Sequence, residues 1–383
     1  MARKAPQRPV ILGTLLLFLL VVIVFIGDYY LDVDSLVKSS ESHSNIPLAK
    51  NTSSRNTDSP DDTADNESLR YIPHSTIQTW RERDYLIVFG IPSVDIDSRR
   101  RRRYLQRTTC WQFPGVARRA NNFTGAMLVL YVLARHPSQG YKHSAALLKE
   151  ADEWHDIITL PMNDALPTTN KTIGGAGHWG TEAEISMSRK VYFWFELALR
   201  VFPNVNYISK GDDDMFLRVP QFLADLHTLP RRRVYWGLPI YGYVKKKNKN
   251  VGFPYAAGMC YTLSRDVAQQ FVSYKPLQRV VHPPYGKVKK VYSDHLSVLY
   301  EDVLVGFVLH EIGKRTITFV LERRCRFHDI HEGLNLGRVS KASVVVHHIT
   351  EEDFMWLMKM FGNAGTSKPR KYKRIGRSLR FFC

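Results

Sequence analysis

Apolar and polar positions divide the chain into stretches of different character. Val10–Gly27 carries no charge and is rich in Leu, Val and Ile. At a helical rise of about 1.5 Å per residue, a run of that length just spans a hydrocarbon core. Arg3, Lys4 and Arg8 precede it, and Asp28, Asp32 and Asp34 follow. Basic flanks favour the cytoplasmic side, so the pattern predicts a signal anchor with the remainder translocated. The rival, a cleaved signal peptide, has a shorter apolar region and a small-residue cleavage site, which is not found after Gly27. Residues 39–69 are rich in Ser, Asn, Asp and Thr without hydrophobic periodicity, which predicts a disordered spacer.

From Asp84 onward, short apolar runs alternate with helical periods. Asp84–Gly90, Gly125–Leu133, Asp156–Leu160 and Val205–Ser209 read as buried strands. Ser144–Trp154 reads as a helix. Ile185–Phe202 reads as a longer one, apolar on most sides and stopped by Pro203. Strands separated by helices predict a layered α/β sheet. The expected organisation is a cytoplasmic tail over 1–9, a transmembrane anchor over 10–27, a stem over 28–80, a globular domain over 81–362 and a basic tail over 363–383.

Three adjacent carboxylates, Asp212, Asp213 and Asp214, directly follow the last of those strands. In extended chain Asp212 and Asp214 face one way and Asp213 the other. Such crowding calls for a positive partner, and carboxylate oxygens suit Mg²⁺ or Mn²⁺. A solvated acidic turn is the competing reading. Asp302 precedes Leu304, Val305, Val308, Leu309 and Ile312 at helical spacing, so it sits near a helix start. There it serves as an N-terminal dipole partner or as a general base. His347 and His348 end the apolar run Val344–Val346, where they are structural or one reaches a metal.

Composition narrows the class. The 383 residues hold 54 Lys and Arg against 36 Asp and Glu, a net charge of +18, with 44% apolar residues. Disorder throughout is excluded, and four cysteines are too few for a disulfide scaffold. The four can pair in three ways, and Cys383 is expected to stay unpaired. The charge excess attracts phosphates of some kind. No aromatic-interleaved basic patch points to nucleic acid. Arg99–Arg103 is a run of five arginines, and Lys368–Arg380 carries seven basic residues that read as a solvated surface. Gly174–Gly180 lacks the Lys-Ser/Thr of a phosphate loop and reads as a mobile loop. Cys325, His328 and His331 have zinc-like spacing but make too small a ligand set. Asn51, Asn66, Asn122 and Asn170 head glycosylation tripeptides that translocation would make usable.

Taken together, five stretches resemble the beta-1,3-galactosyltransferase and N-acetylglucosaminyltransferase family that includes fringe, and within it the trypanosomatid branch. They are Arg107-Thr-Thr-Cys-Trp111 and Glu153–Leu160 with Asp164 and Lys171 beyond. Then come Lys190 with Phe202-Pro-Asn through Lys210-Gly-Asp-Asp-Asp214, then Phe253–Ser264, and finally Glu301-Asp-Val-Leu-Val-Gly306. Ala256 stands where many relatives carry Cys, and Cys260 where Gly is usual.

The resemblance implies a GT-A fold, a Rossmann-like mixed sheet flanked by helices, behind the single transmembrane helix and stem. It implies an inverting, metal-dependent transfer of Gal or GlcNAc from a UDP-sugar to a glycan hydroxyl, forming a beta-1,3 or related linkage. Asp214, with Asp212, would hold Mn²⁺ (or Mg²⁺), helped by His347 or His348. Asp213 or Asp212 would meet the nucleotide ribose, with Lys210 and Arg107 also on the donor, and Asp302 would be the base. The implied setting is the Golgi membrane, single-pass type II with a lumenal catalytic domain, binding a UDP-sugar, a glycan acceptor and no nucleic acid. An inactive glycan-binding or chaperone-like relative would be expected to lose these carboxylates, and a phosphohydrolase would need a second metal cluster.

Overall fold

The computed structural model describes residues 65–246, 249–282, 300–313, 316–362 and 367–383. The predicted anchor, residues 10–27, and Asn51 lie outside the described residues. Among the described residues no helix is long and apolar enough to cross a membrane.

In chain order the first elements are α1 (His74–Glu82), β1 (Ile87–Pro92), α2 (Asp97–Thr108), β2 (Val116–Ala117), β3 (Met127–Arg135), α3 (Ala145–Trp154) and β4 (Ile157–Asn163). There follow α4 (Thr181–Val201), β5 (Tyr207–Gly211), β6 (Met215–Leu217), α5 (Val219–Thr228), β7 (Val234–Lys246), β8 (Lys249–Ser264), α6 (Arg265–Val272) and α7 (Lys275–Val281). The last are α8 (Glu301–Gly313), β9 (Thr318–Leu321), β10 (Phe327–Asp329), β11 (Val345–His347), α9 (Glu351–Phe361), β12 (Tyr372–Ile375) and β13 (Ser378–Phe381). Each predicted strand is present, displaced a few residues toward its C-terminus.

Ten strands form one mixed sheet in the order β12-β13-β9-β7-β8-β5-β1-β3-β2, with β4 also on β3. Strand β1 runs parallel to both β3 and β5, whereas β5 and β8 are antiparallel. A second sheet joins β10, β11 and β6. Both faces of the large sheet are covered, which explains the unbroken apolar runs. Along β3, Leu128, Leu130 and Val132 enter a core with α4, α6 and α8. Met127, Val129 and Tyr131 enter the opposite core with α5 and α9. Gly90 lets α4 approach the sheet: a Cβ there would lie 2.2 Å from Trp194 Cε2.

Three expectations change. Residues 65–82, assigned to the stem, are folded onto the body, with Leu69, Ile72 and Trp80 buried in its core. Their few apolar residues are spaced among polar ones, so composition alone reads as spacer. The basic C-terminal stretch is a hairpin that extends the sheet through β13 and β9. Leu379 and Phe381 are its buried face, masked in the sequence by the basic residues around them. Cys383 is paired after all: it is bonded to Cys325, while Cys110 and Cys260 are buried free thiols.

The arginine run is the helix α2. Arg103 grips Glu150 with two bonds of 2.8 and 2.7 Å, and Arg102 donates to the Ile349 carbonyl. These bonds tie α2 to α3 and to the segment that carries the histidine pair.

Candidate active site

Strands β1 and β5 run parallel in mid-sheet, and their C-terminal ends open together onto a cleft of about 200 Å³. In α/β sheets such strand ends are where ligands bind. Ser93 and Val94 leave β1 into this cleft, the three aspartates leave β5, and Asp302 and the histidine pair arrive from later segments. The structure thus gathers Lys210, Asp212, Asp213, Asp214, Asp302, His347 and His348 into one wall.

The aspartates alternate as extended chain requires. Asp212 and Asp214 both point at His347 Nε2, at 3.4 and 3.3 Å. Asp213 turns away, accepting from the Ser93 hydroxyl at 2.8 Å and pairing with Arg99. Both its oxygens are therefore occupied within the protein, whereas Asp212 keeps 28% of its side-chain surface exposed. Ser93 is itself held from below, where Lys190 Nζ donates to its carbonyl and to Asp164, each at 2.8 Å.

Electrostatics separate the three carboxyls. Burial pushes Asp212 up, but Lys210 and then His347 outweigh it and hold the group at about 2. Burial likewise acts on Asp214, and His347 brings it well below the ordinary range. For Asp213 burial wins, and its carboxyl is raised despite Arg99. His347 shows the reverse balance: burial lowers it, while Asp214 and Asp212 drive it well above its ordinary value.

Asp214, His347 and His348 offer ligand atoms that lie within 4.8 Å of one another. His347 is the better oriented histidine. Its Nδ1 meets Asp329 at 2.7 Å, which leaves Nε2 aimed between Asp212 and Asp214. A carboxylate that fixes one ring nitrogen so that the other can bind a metal is a recurring arrangement. His348 adopts a left-handed backbone, φ 52°, and its Nδ1 lies 2.7 Å from the Glu332 carbonyl. Gly174, at φ +80°, donates its N–H to Asp214 at 3.0 Å, so the glycine-rich loop is packed against this centre. A Cβ at Gly174 would sit 2.9 Å from the Ile349 carbonyl oxygen.

Lys210 and Glu301 join the two ends of the wall. Lys210 Nζ donates to Asp212 at 2.6 Å, to the Gly258 carbonyl at 2.7 Å and to Glu301 at 2.5 Å. Glu301 also accepts from the Tyr261 hydroxyl at 2.6 Å, and burial pushes its carboxyl up to about 7. Asp302 accepts from Gly258 N–H at 3.0 Å and from Val303 N–H at 2.8 Å. Burial raises Asp302 above the usual carboxylate range, while Lys210 and these two bonds pull it back.

No family model matches the chain, and no curated protein matches it. Among solved structures, it is similar to mouse xyloside xylosyltransferase 1 in its apo form, at 10% identity and a TM-score of 0.34. That match covers 75% of this chain and 100% of the other. A likeness that low carries no argument about fold or activity.

Two donor residues implied by the sequence do not reach the cleft as free cations. Arg107 is buried outside it, bonded to Glu150 at 2.6 Å and to Asp156 at 2.8 and 2.7 Å. Lys210 lines the cleft, but its three N–H groups are spent on protein oxygens. Among the zinc-spaced residues, Cys325 is in the disulfide, His328 meets Ser343 at 2.9 Å and His331 meets Asp353 at 2.6 Å. Asn66, Asn122 and Asn170 are all exposed. Sequence reasoning missed Ser93, Arg99, Glu301 and Asp329 as members of the site. For Asp329 a weak signal existed, since it stands between His328 and His331 in a stretch dense in ligating side chains.

Proposed function

We propose that the chain is a metal-dependent, inverting glycosyltransferase that moves Gal or GlcNAc from a UDP-sugar to a glycan hydroxyl. The observation that carries this is the placement of the buried Asp302 in one cleft with Asp212, Asp214 and His347, residues far apart in sequence. The five-stretch resemblance supplies the reaction class, and the geometry supports a separate task for each residue.

The donor set fits a divalent cation. Glu184, Asp212, Asp213, Asp214, Glu301 and Asp302 line the cleft against three fixed cations, Arg99, Lys171 and Lys210. An anionic nucleotide would be repelled there unless further positive charge offsets the excess. Asp214, Asp212 and His347 would hold Mn²⁺ or Mg²⁺, with His348 beside them. A bound ion of this kind neutralises charge that builds on a departing diphosphate.

The protein groups do the rest. Asp302 Oδ1 and Oδ2 are fixed by two backbone N–H bonds, which leaves lone pairs for an acceptor hydroxyl. Asp302 takes that hydroxyl's proton as the oxygen bonds to the anomeric carbon and the bond to UDP breaks, its electron pair leaving with UDP. One displacement inverts the anomeric centre. Burial makes Asp302 a stronger base than a solvated aspartate while it stays ionised near neutral pH. Asp212, the more exposed of the first two aspartates, supports the ribose contact better than Asp213, whose role is to anchor Arg99. Val10–Gly27 and its charged flanks support a single-pass type II Golgi protein with this site in the lumen.

The test is UDP release by the full chain from UDP-Gal or UDP-GlcNAc, with and without Mn²⁺, over a mixed glycan acceptor pool. Acceptor-dependent release that EDTA abolishes is expected from one donor. A folded sample that neither binds nor releases UDP overturns the reading.

A further inference from the structure

Lys171 lies on the segment between β4 and α4 and lines the cleft. Its situation differs from that of the other two fixed cations there. Lys210 has all three N–H groups committed to protein oxygens, and Arg99 is paired with Asp213. The Lys171 ammonium has no hydrogen bond or ion pair with any described residue. It rests instead on the Trp179 ring, 4.8 Å from the centroid. A cation–π contact steadies an ammonium without using its N–H groups, so three donors stay free.

The ring is itself held. Trp179 N–H donates to Glu184 Oε1 at 2.7 Å, and its carbonyl accepts from Thr168 N–H at 2.9 Å. Arg99 lies 5.0 Å from the same ring, and Arg99 is tied to the triple aspartate through Asp213. Trp179 therefore fixes Lys171 relative to the carboxylates that face the donor.

We propose that Lys171, propped on Trp179, is the side chain that contacts the diphosphate of the nucleotide donor. This rests on the UDP-sugar reading above. An ammonium binds phosphate as a compact point charge, and it needs the free N–H groups that Lys210 and Arg99 do not have. A solvated lysine resting on a tryptophan would carry the same ring contact but would have no preference among ligands.

Calorimetric titration of the full chain with UDP and with uridine, both in Mn²⁺, separates the two. Lys171→Gln is expected to weaken UDP about tenfold to a hundredfold, leave uridine unchanged, and show a smaller deficit in 0.5 M salt. Lys171→Arg is expected to recover most of the UDP affinity. Lys171 is partly exposed, so neither change should shift the melting temperature. UDP binding that Lys171→Gln leaves intact, or an equal loss for UDP and uridine, overturns the assignment while the donor reading stands. Failure of the unaltered chain to bind UDP overturns both.

Discussion

Asp302→Asn removes one negative charge and replaces one carboxylate oxygen by an amide NH₂. Both oxygens now accept backbone N–H groups, from Gly258 and from Val303. The amide oxygen can keep one of these bonds, but the NH₂ cannot accept the other. An orphaned buried N–H costs about 1–3 kcal/mol. Part of that is offset, because the change also relieves repulsion with Glu301, so net destabilisation should stay below about 2 kcal/mol. The catalytic loss is larger. Removal of a positioned general base typically costs about 10²–10⁴ in rate, or roughly 3–5 kcal/mol in barrier. The metal-facing residues are untouched, so Mn²⁺-dependent UDP binding should be unchanged. Steady-state UDP release, measured beside calorimetric UDP binding, reads both quantities. Turnover within tenfold of the unaltered enzyme, in a variant that binds UDP normally, would refute the assignment of Asp302 as base. In the unaltered enzyme, the acid limb of kcat against pH should fall above an ordinary aspartate value, because burial raises this carboxyl.

Asp329→Asn should weaken Mn²⁺ binding about tenfold to a hundredfold, since His347 loses the carboxylate that orients its ring; metal titration followed by calorimetry checks this. Glu301 has a folded pKa above its ordinary value, so the fold prefers it protonated, and stability should decline as pH rises from 4.5 to about 7. That slope amounts to at most about 3 kcal/mol, and Glu301→Gln should flatten it in denaturant midpoints measured across the window. The Cys325–Cys383 bond closes a separation of 58 residues, for which chain entropy gives about 4 kcal/mol. Replacing both cysteines by Ser should lower stability by that order in guanidinium melts, and a loss under about 1 kcal/mol would mean that the packed Leu379 and Phe381 already hold the hairpin.

Local pattern made much of this protein legible. Apolar runs announced β1, β3, β4 and β5, because strands buried on both faces need apolar side chains at every position. Alternation within Asp212–Asp214 foretold that the outer two would face one way, since successive strand side chains must point to opposite sides. The position of Asp302 at the start of α8 followed from the helical spacing after it. The C-terminal hairpin was hidden because only Leu379 and Phe381 interrupt its charge, too few to show a period. Residues 65–82 were hidden for the same reason.

What the sequence by itself determined is therefore the set of elements and the reactive residue types at their ends. Only the tertiary structure decided which of those residues meet. Arg99 was one of five like arginines until α2 packed beside β5 and put it on Asp213. His347 separates from His348 because the parallel pairing of β10 with β11 places Asp329 against its Nδ1. Arg107 leaves the site because Glu150 and Asp156 neutralise it elsewhere. Each outcome depends on a partner distant in sequence, and neither propensity nor spacing encodes such a partner; the register of strands and the packing of helices do.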